Sequence, residues 1–387
     1  MRVLMVIPAG KGGLWAYTDA LCYGLYENSI DVTALSDSAW PNAPRPFSIE
    51  RRFVRIMPKK EGWTKLHWAF DRFWRSLHNS LVRNRFAIRT RPDVVHIQLA
   101  TPIIDQILFK PLVKRLPVVF TAHDIQPHMD CFTSSISFIK RHFQIPHRLI
   151  VHYEGGKREL VENWGICADR IDVIPHGIMP PLHITTTPQG ARKELNLPLD
   201  RRIILFFGGI RDNKGLDVLL KALEIVRLHE PRVLLVIAGS IPLRANFERY
   251  SNMIKSSGLS RYVRTFIRFI DDSEVDYFFT ASDLVVLPYV KFGSQSGVLL
   301  RACAHRKPVV VTNVGALGEL VRSNKIGLVV EAGASESLAE AIINVLGNLN
   351  KFRSRYSGEI EDKYSWKNIA KLTIRSYQTA IDNKNIR

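Results

Sequence analysis

Cysteine is scarce in this chain. Its 387 residues hold four, Cys22, Cys131, Cys167 and Cys303, far apart and with no Cys-x-x-Cys or Cys/His pair at metal spacing. That excludes a disulfide framework and a zinc module, and a reducing compartment is the simpler setting. Long apolar runs are missing as well, and none reaches the length that spans a bilayer. Met1-Arg2 is followed by only five apolar residues before Pro8, too few for a signal-peptide core. The expected location is therefore the cytosol, with membrane contact only from the surface. The glycines near the start do not form Gly-x-Gly-x-x-Gly, so the dinucleotide-binding fingerprint is absent. Acidic residues are short too: 36 Asp and Glu face 54 Lys and Arg, a net charge of +18. Such an excess asks for an anionic partner, whether nucleic acid, an acidic membrane surface or a phosphorylated substrate.

What is present is alternation. Val3 to Ile7 is a short apolar strand. Pro8-Ala-Gly-Lys-Gly-Gly13 follows as a loop, then a helical pattern from Leu14 to Tyr26, then a strand from Val32 to Leu35. The loop is either a tight turn needing positive φ or a backbone that lies close to a ligand. Residues 36–48, with Pro41, Pro44 and Pro46, read as a loop. Further strands are expected at 92–98, 117–124, 148–153 and 171–177, with helices at 104–114 and 157–164 between them. Pro180, Pro181, Thr185, Thr186, Thr187 and Pro188 break the pattern and mark a linker. Beyond it, strands are expected at 203–207, 233–238, 265–269, 284–288, 308–312 and 327–330. Helices are expected near 216–229, 244–257, 273–281, 297–305, 315–322 and 335–347, and a last one at 366–381. Strands alternating with helices predict two doubly wound parallel-sheet α/β halves. The expected division is residues 1–180, residues 190–360 and a terminal segment 361–387. In such folds ligands sit beyond the carboxyl ends of strands, and the cleft between two halves is the natural site.

Two stretches carry chemistry. In Phe206-Phe-Gly-Gly-Ile-Arg-Asp-Asn-Lys-Gly-Leu-Asp-Val-Leu-Leu220 a strand ends at Gly208 and Gly209, and Leu216, Leu219, Leu220 and Leu223 then recur at helical spacing. Arg211 and Lys214 stand at the turn, where a helix N-terminus already favours anions. They suit a diphosphate, or they belong to an ordinary solvated loop. The second stretch runs from Arg51 to Arg91. It carries Arg51, Arg52, Arg55, Lys59, Lys60, Lys65, Arg72, Arg75, Arg83, Arg85, Arg89 and Arg91 against Glu61 and Asp71. Trp63, Leu66, Phe70, Phe73, Trp74, Leu77 and Leu81 interleave at three- and four-residue steps, the pattern of a basic amphipathic helix. It reads as a helix covering the sheet with a charged outer face, or as a membrane-surface contact. No recognised nucleic-acid motif accompanies the charge.

Taken together, Gly12-Gly13, Thr121-Ala-His-Asp124, Ile174-Pro-His-Gly177, Gly208 to Leu220, Val236-Ile-Ala-Gly239, Ala281 to Tyr289, Ser294-Gln-Ser-Gly-Val298 and Lys307-Pro-Val-Val310 resemble a GT-B glycosyltransferase of family 4. The resemblance implies two Rossmann-like halves and a last helix that crosses back to the first half. It implies retaining transfer of a hexose-type sugar from a nucleotide diphosphate sugar, with no metal and no further cofactor. By the same resemblance Arg211 and Lys214 hold the donor diphosphate, and Gly12, Gly13, Gly209, Gln295, Ser296, Gly297 and Val298 line the donor. His123 contacts the sugar, while His176 serves either the sugar or a turn. Glu319 offers a carboxylate or caps its helix. The family usually has two glutamates where this chain has Gly293 and Arg301. The expected partners are a nucleotide sugar and a glycan or lipid-linked acceptor at an anionic membrane surface, with no nucleic acid. A soluble acceptor, or a non-catalytic nucleotide-sugar-binding protein, is the alternative.

Overall fold

A computed structural model describes residues 1–56, 62–125, 136–178, 186–241, 247–293, 295–356 and 358–385. Lys59, Lys60, Glu61, Cys131, Pro180, Pro181, Thr185, Ser294 and residues 244–246 lie outside the described residues. Cys22, Cys167 and Cys303 are free thiols. The chain forms two compact units, one of Met1–Gly177 with Lys363–Arg387 and one of Ile178–Asp362.

Among the described residues the first unit builds a seven-stranded parallel sheet. Its strands are β1 (Arg2–Val6), β2 (Asp31–Asp37), β3 (Ser48–Phe53), β4 (Val94–Ile97), β5 (Val118–Thr121), β6 (Arg148–Val151) and β7 (Ile171–Val173), in spatial order β3-β2-β1-β4-β5-β6-β7. The second unit builds a six-stranded parallel sheet from β8 (Arg202–Phe207), β9 (Val233–Ala238), β10 (Val263–Phe266), β11 (Leu284–Leu287), β12 (Val309–Thr312) and β13 (Gly327–Val330). Their order is β10-β9-β8-β11-β12-β13. Strands covered by helices on both faces lose all contact with water and so read as unbroken apolar runs; β4, β5, β6, β9, β11 and β12 are buried throughout.

The direction of winding reverses between β1 and β4 in the first sheet and between β8 and β11 in the second. Loops leaving such a reversal point diverge to opposite faces and open a crevice at the carboxyl ends. The loops in question are those after β1, β4, β8 and β11. In the second unit the helix Leu216–His229 seals the sheet with Leu216, Leu219, Leu220, Leu223 and Val226, all buried. The helix Trp366–Asn385 belongs to the first unit. It lies against the helix Gly13–Glu27, where a Cβ on Gly24 would meet the Trp366 carbonyl at 2.2 Å.

Two parts of the expectation need correction. Residues 48–53 are strand rather than the start of the basic stretch, because β3 is an edge strand carrying Arg51 and Arg52 on exposed positions. Charge on an edge protects it from further pairing and hides it in the sequence. The helix expected from the aromatic periodicity exists as Lys65–Thr90, capped by Thr64, whose hydroxyl accepts from the His67 N–H. Its orientation is the reverse of an ordinary covering helix. Ser76, Asn79, Ser80, Arg83 and Asn84 are buried, whereas Leu66, Phe70, Phe73, Trp74 and Leu81 are exposed. The polar side docks because Asn79, Ser80, Arg83 and Asn84 each find a partner. Asn79 exchanges hydrogen bonds with both main-chain groups of Val54, Ser80 and Arg83 donate to Asp105, and Asn84 donates to the Leu108 carbonyl.

Candidate functional site

In the second unit the chain leaves β8 through Gly208, makes a short 3-10 turn at Asp212–Lys214 and enters the helix Leu216–His229 at Gly215. Gly215 has φ of +66°, and a Cβ there would fall 2.0 Å from the Pro288 carbonyl oxygen, so only glycine fits. That approach clamps the turn to the loop after β11. Asn213 completes the clamp: its carbonyl accepts from the Val290 N–H at 2.9 Å and its side-chain amide donates to the Lys291 carbonyl at 3.1 Å.

The clamp seats Lys214 on two rings from the β11 loop. Its ammonium lies 3.5 Å from the centre of the Tyr289 ring and 4.2 Å from that of Phe292. Ring faces attract a cation, most strongly when water is excluded. Burial, and then the neighbouring Arg211, push the Lys214 pKa down to about 8. Lys214 is thus half-buried rather than the side chain of an ordinary solvated loop, while Arg211 is exposed. The Tyr289 hydroxyl lies 3.4 Å from the Ser296 hydroxyl. Ser296 is buried and caps the helix Gly297–Ala304 by accepting from the Leu299 N–H. Gly297 is exposed with open space where a Cβ would stand, and Val298 approaches Gly208. The structure therefore gathers Gly209, Arg211, Lys214, Gln295, Ser296, Gly297 and Val298 on the two loops beside the reversal point. Glu319 sits half-buried in the first turn of the helix Leu317–Asn324, which follows the adjacent β12.

Arg301, on the helix Gly297–Ala304, turns to another task. Its guanidinium lies 3.3 Å from Oδ1 of Asp276, a fully buried carboxylate that also accepts from His305 Nε2 at 2.9 Å. A glutamate at 301 would place a second carboxylate beside Asp276, so the two positions make sense only together.

In the first unit Gly12 has φ of +89°, a conformation that only glycine takes readily, and it precedes the helix Gly13–Glu27. Gly12 and Gly13 are exposed, with open space around both would-be Cβ positions. The loop is the one that leaves β1 at the reversal point. From the ends of β4, β5, β6 and β7 come Gln98, His123, His152 and His176. His123 Nε2 lies 2.9 Å from the Gln98 side chain, and its Nδ1 lies 3.2 Å from His152 Nε2. His152 donates through Nδ1 to the Ile174 carbonyl at 3.0 Å. Behind them His96 lies 2.7 Å from the Thr121 hydroxyl and 2.6 Å from that of Tyr377 on the terminal helix. The Tyr17 ring packs edge-on against His123 and His176, with centroids 4.7 and 4.8 Å away. His96, His152 and His176 are buried and His123 is half-buried. Burial lowers all four imidazoles: His152 to about 4, His96 and His176 to about 3, and His123 well below the usual range. Neighbouring histidines add to the depression of His96, His123 and His176. Both ring nitrogens of His123 are occupied from within its own unit, so its ring is held in a fixed plane at the end of β5.

Sequence reasoning missed Asn213, Gly215, Tyr289 and Phe292 in one unit and Gln98 and His152 in the other. A faint signal existed for Gln98 and His152, since each is a polar residue closing an otherwise apolar strand. Nothing local links Lys214 to its aromatic seat, which arrives from the loop after β11, three strands further on in sequence.

Comparison with known proteins covers both units. The model for Glycosyltransferase Family 4 matches residues 11–180, and the model for Glycosyl transferases group 1 matches residues 189–362. A D-inositol 3-phosphate glycosyltransferase of Paenarthrobacter aurescens is 29% identical over 239 residues, which are 60% of this chain and 58% of that protein. The chain thus spans rather less than two thirds of the length of such relatives. A solved glycosyltransferase of Rickettsia africae superposes with a TM-score of 0.74 at 19% identity, covering 99% of each chain. HepE of Anabaena in complex with UDP-glucose does so with a TM-score of 0.70 at 18% identity, covering 98% of this chain and 99% of that one. Both likenesses establish the two-Rossmann GT-B fold.

Proposed function

Because this chain belongs to the family 4, group 1 glycosyltransferases, we propose that it moves a hexose-type sugar from a nucleotide diphosphate sugar to a glycan or lipid-linked acceptor, with retention at the anomeric carbon and without a metal. The observation that carries the donor half is the turn at Arg211–Gly215, where an exposed guanidinium stands beside an ammonium seated on Tyr289 and Phe292. As the sugar departs, negative charge grows on the diphosphate. A preorganised pair of cations outside bulk water stabilises that charge without reorganising at the moment of reaction. The N–H groups at Gly297 and Val298 add the positive end of a helix beside them. In the first unit the sugar contact is assigned to His123, whose plane Gln98 and His152 fix.

The acceptor half rests on the outward face of the helix Lys65–Thr90. Leu66 is 80% exposed, Phe70 63% and Trp74 52%, with exposed Arg72, Arg85 and Arg89 on the same helix. Aromatic and aliphatic groups turned to solvent beside cations match an anionic lipid surface. Such contact places the enzyme where lipid-linked or polysaccharide acceptors of cell-surface glycan synthesis lie, at the cytoplasmic face. No helix among the described residues is long and apolar enough to cross a membrane. A soluble small-molecule acceptor is the second reading, supported by relatives named for inositol 3-phosphate.

The test is turnover with a panel of nucleotide sugars. Arg211→Ala and Lys214→Ala should each cut it by about 10²-fold, the scale of losing one transition-state donor. Near-wild-type turnover in either variant would remove the diphosphate assignment.

A further inference from the structure

The basic excess of the chain is larger than a diphosphate site uses, and part of it is gathered at the opposite end of the second unit's sheet. A cavity of about 580 Å³ opens there. Ser282 and Asp283 line it just before β11, and His305, Arg306 and Lys307 just before β12. It therefore lies at the amino ends of these strands, whereas the donor loops leave their carboxyl ends.

The lining brings together Arg192, Arg306, Lys307 and Arg353 around the single carboxylate of Asp283. That carboxylate is already divided. Its Oδ2 accepts from Arg192 and from the Ile203 N–H, both at 2.9 Å, and its Oδ1 lies 3.4 Å from Arg353. Arg306 pairs with Glu361 at 2.5 Å, outside the lining. Lys307 is buried and donates to the carbonyls of Thr280 at 3.0 Å and Ser282 at 2.9 Å, with no carboxylate in ion-pair range among the described residues. Asp283, already shared with two guanidinium groups, offsets only part of the cost of burying this ammonium. Burial and the nearby Arg353 and Arg192 accordingly push Lys307 down to about 8. Guanidinium groups with unused N–H donors beside an only partly compensated ammonium are the donor set that binds phosphate oxygens.

We propose that this cavity is an oxyanion site that takes the phosphate group of free phosphate or of a phosphate monoester. It is separate from the donor diphosphate site and independent of whether that assignment holds.

The experiment uses the full chain carrying Arg211→Gln and Lys214→Gln, which removes the other place where phosphate would bind. Inorganic phosphate and glycerol phosphate are titrated separately by calorimetry, with chloride holding the ionic strength constant. Thermal stability is followed in parallel, since a ligand that binds only the folded state raises it. Saturable binding of at least one of the two is expected, and which one binds tells the free ion from the ester. Adding Arg306→Gln and Arg353→Gln should weaken that binding by about tenfold or more, the effect of losing two charge-assisted donors. Both side chains are more than a third exposed, so the fold should persist, and circular dichroism checks it. Absence of saturable binding at constant ionic strength, or unchanged affinity after the two substitutions, overturns the proposal.

Discussion

Lys214 shows how the seat of one residue sets its acid–base chemistry. An exposed lysine titrates near 10.4 and stays charged at any physiological pH. Here the rings of Tyr289 and Phe292 exclude water and Arg211 repels, so the free protein loses the Lys214 proton as pH rises through about 8. A diphosphate favours the charged form and raises that pKa again. Two consequences follow by linkage. Nucleoside diphosphate affinity should fall as pH rises from 7 to 9, and binding near pH 8 should take up a fraction of a proton. Calorimetry in buffers of different ionisation enthalpy reads the uptake directly. Lys214→Arg keeps its charge throughout this range, so the uptake should vanish in that variant even where binding persists. Equal proton uptake in the two proteins would show that another group titrates.

At the scale of the element, the helix Lys65–Thr90 carries the clearest departure from ordinary packing. Its buried side is polar and its exposed side aromatic. Of its cations, Arg83 is buried against Asp105 and Arg75 is held by Asp71, which leaves Arg72, Arg85 and Arg89 exposed on this helix. Each cation near an anionic leaflet is worth about 1 kcal/mol. Co-sedimentation with anionic vesicles should therefore be strong at low salt and fade as salt shortens the range of charge attraction. Phe70→Ser with Trp74→Ser should weaken binding at every salt concentration, whereas Arg72→Gln with Arg85→Gln should flatten the salt dependence. Equal sedimentation with neutral vesicles, or none with anionic ones at low salt, would leave the acceptor as a soluble molecule. The period of this helix was legible because apolar residues recur at three and four. Which side faces inward was not, because that depends on hydrogen bonds to Val54, Asp105 and Leu108, remote in sequence. The same contrast runs through the fold. The buried strands of both sheets announce themselves as apolar runs, whereas β3 is masked by its arginines. Arg211 and Lys214 stand in one local motif, but the rings that tune Lys214 come from the β11 loop.

At the scale of the whole molecule the two units carry unequal acid liabilities. The first unit holds His96, His123, His142, His152 and His176, all with pKa values pushed down chiefly by burial; the second holds His305. Above about pH 6.5 these imidazoles are neutral in the folded and unfolded chains alike, so they carry no pH-dependent cost. Below it the unfolded chain binds protons that the folded unit refuses. Stability is therefore lost as pH falls from about 6.5 toward 4, by on the order of 1 kcal/mol per histidine per pH unit. Five such groups against one should make the first unit fail first in acid. The chain supplies its own reporter, because all seven tryptophans, Trp15, Trp40, Trp63, Trp68, Trp74, Trp164 and Trp366, belong to the first unit. Tryptophan fluorescence then follows that unit alone, while far-ultraviolet circular dichroism follows both. At pH 7.5 the two thermal transitions should lie closer together than at pH 5, where fluorescence should move to lower temperature ahead of the dichroism, the mark of units that no longer unfold as one. His152→Gln removes a protonatable ring while leaving an amide to bond Ile174 or His123, and should narrow the gap at pH 5. Transitions that shift together by the same amount at both pH values would show that the histidine cluster does not set the acid stability of the first unit.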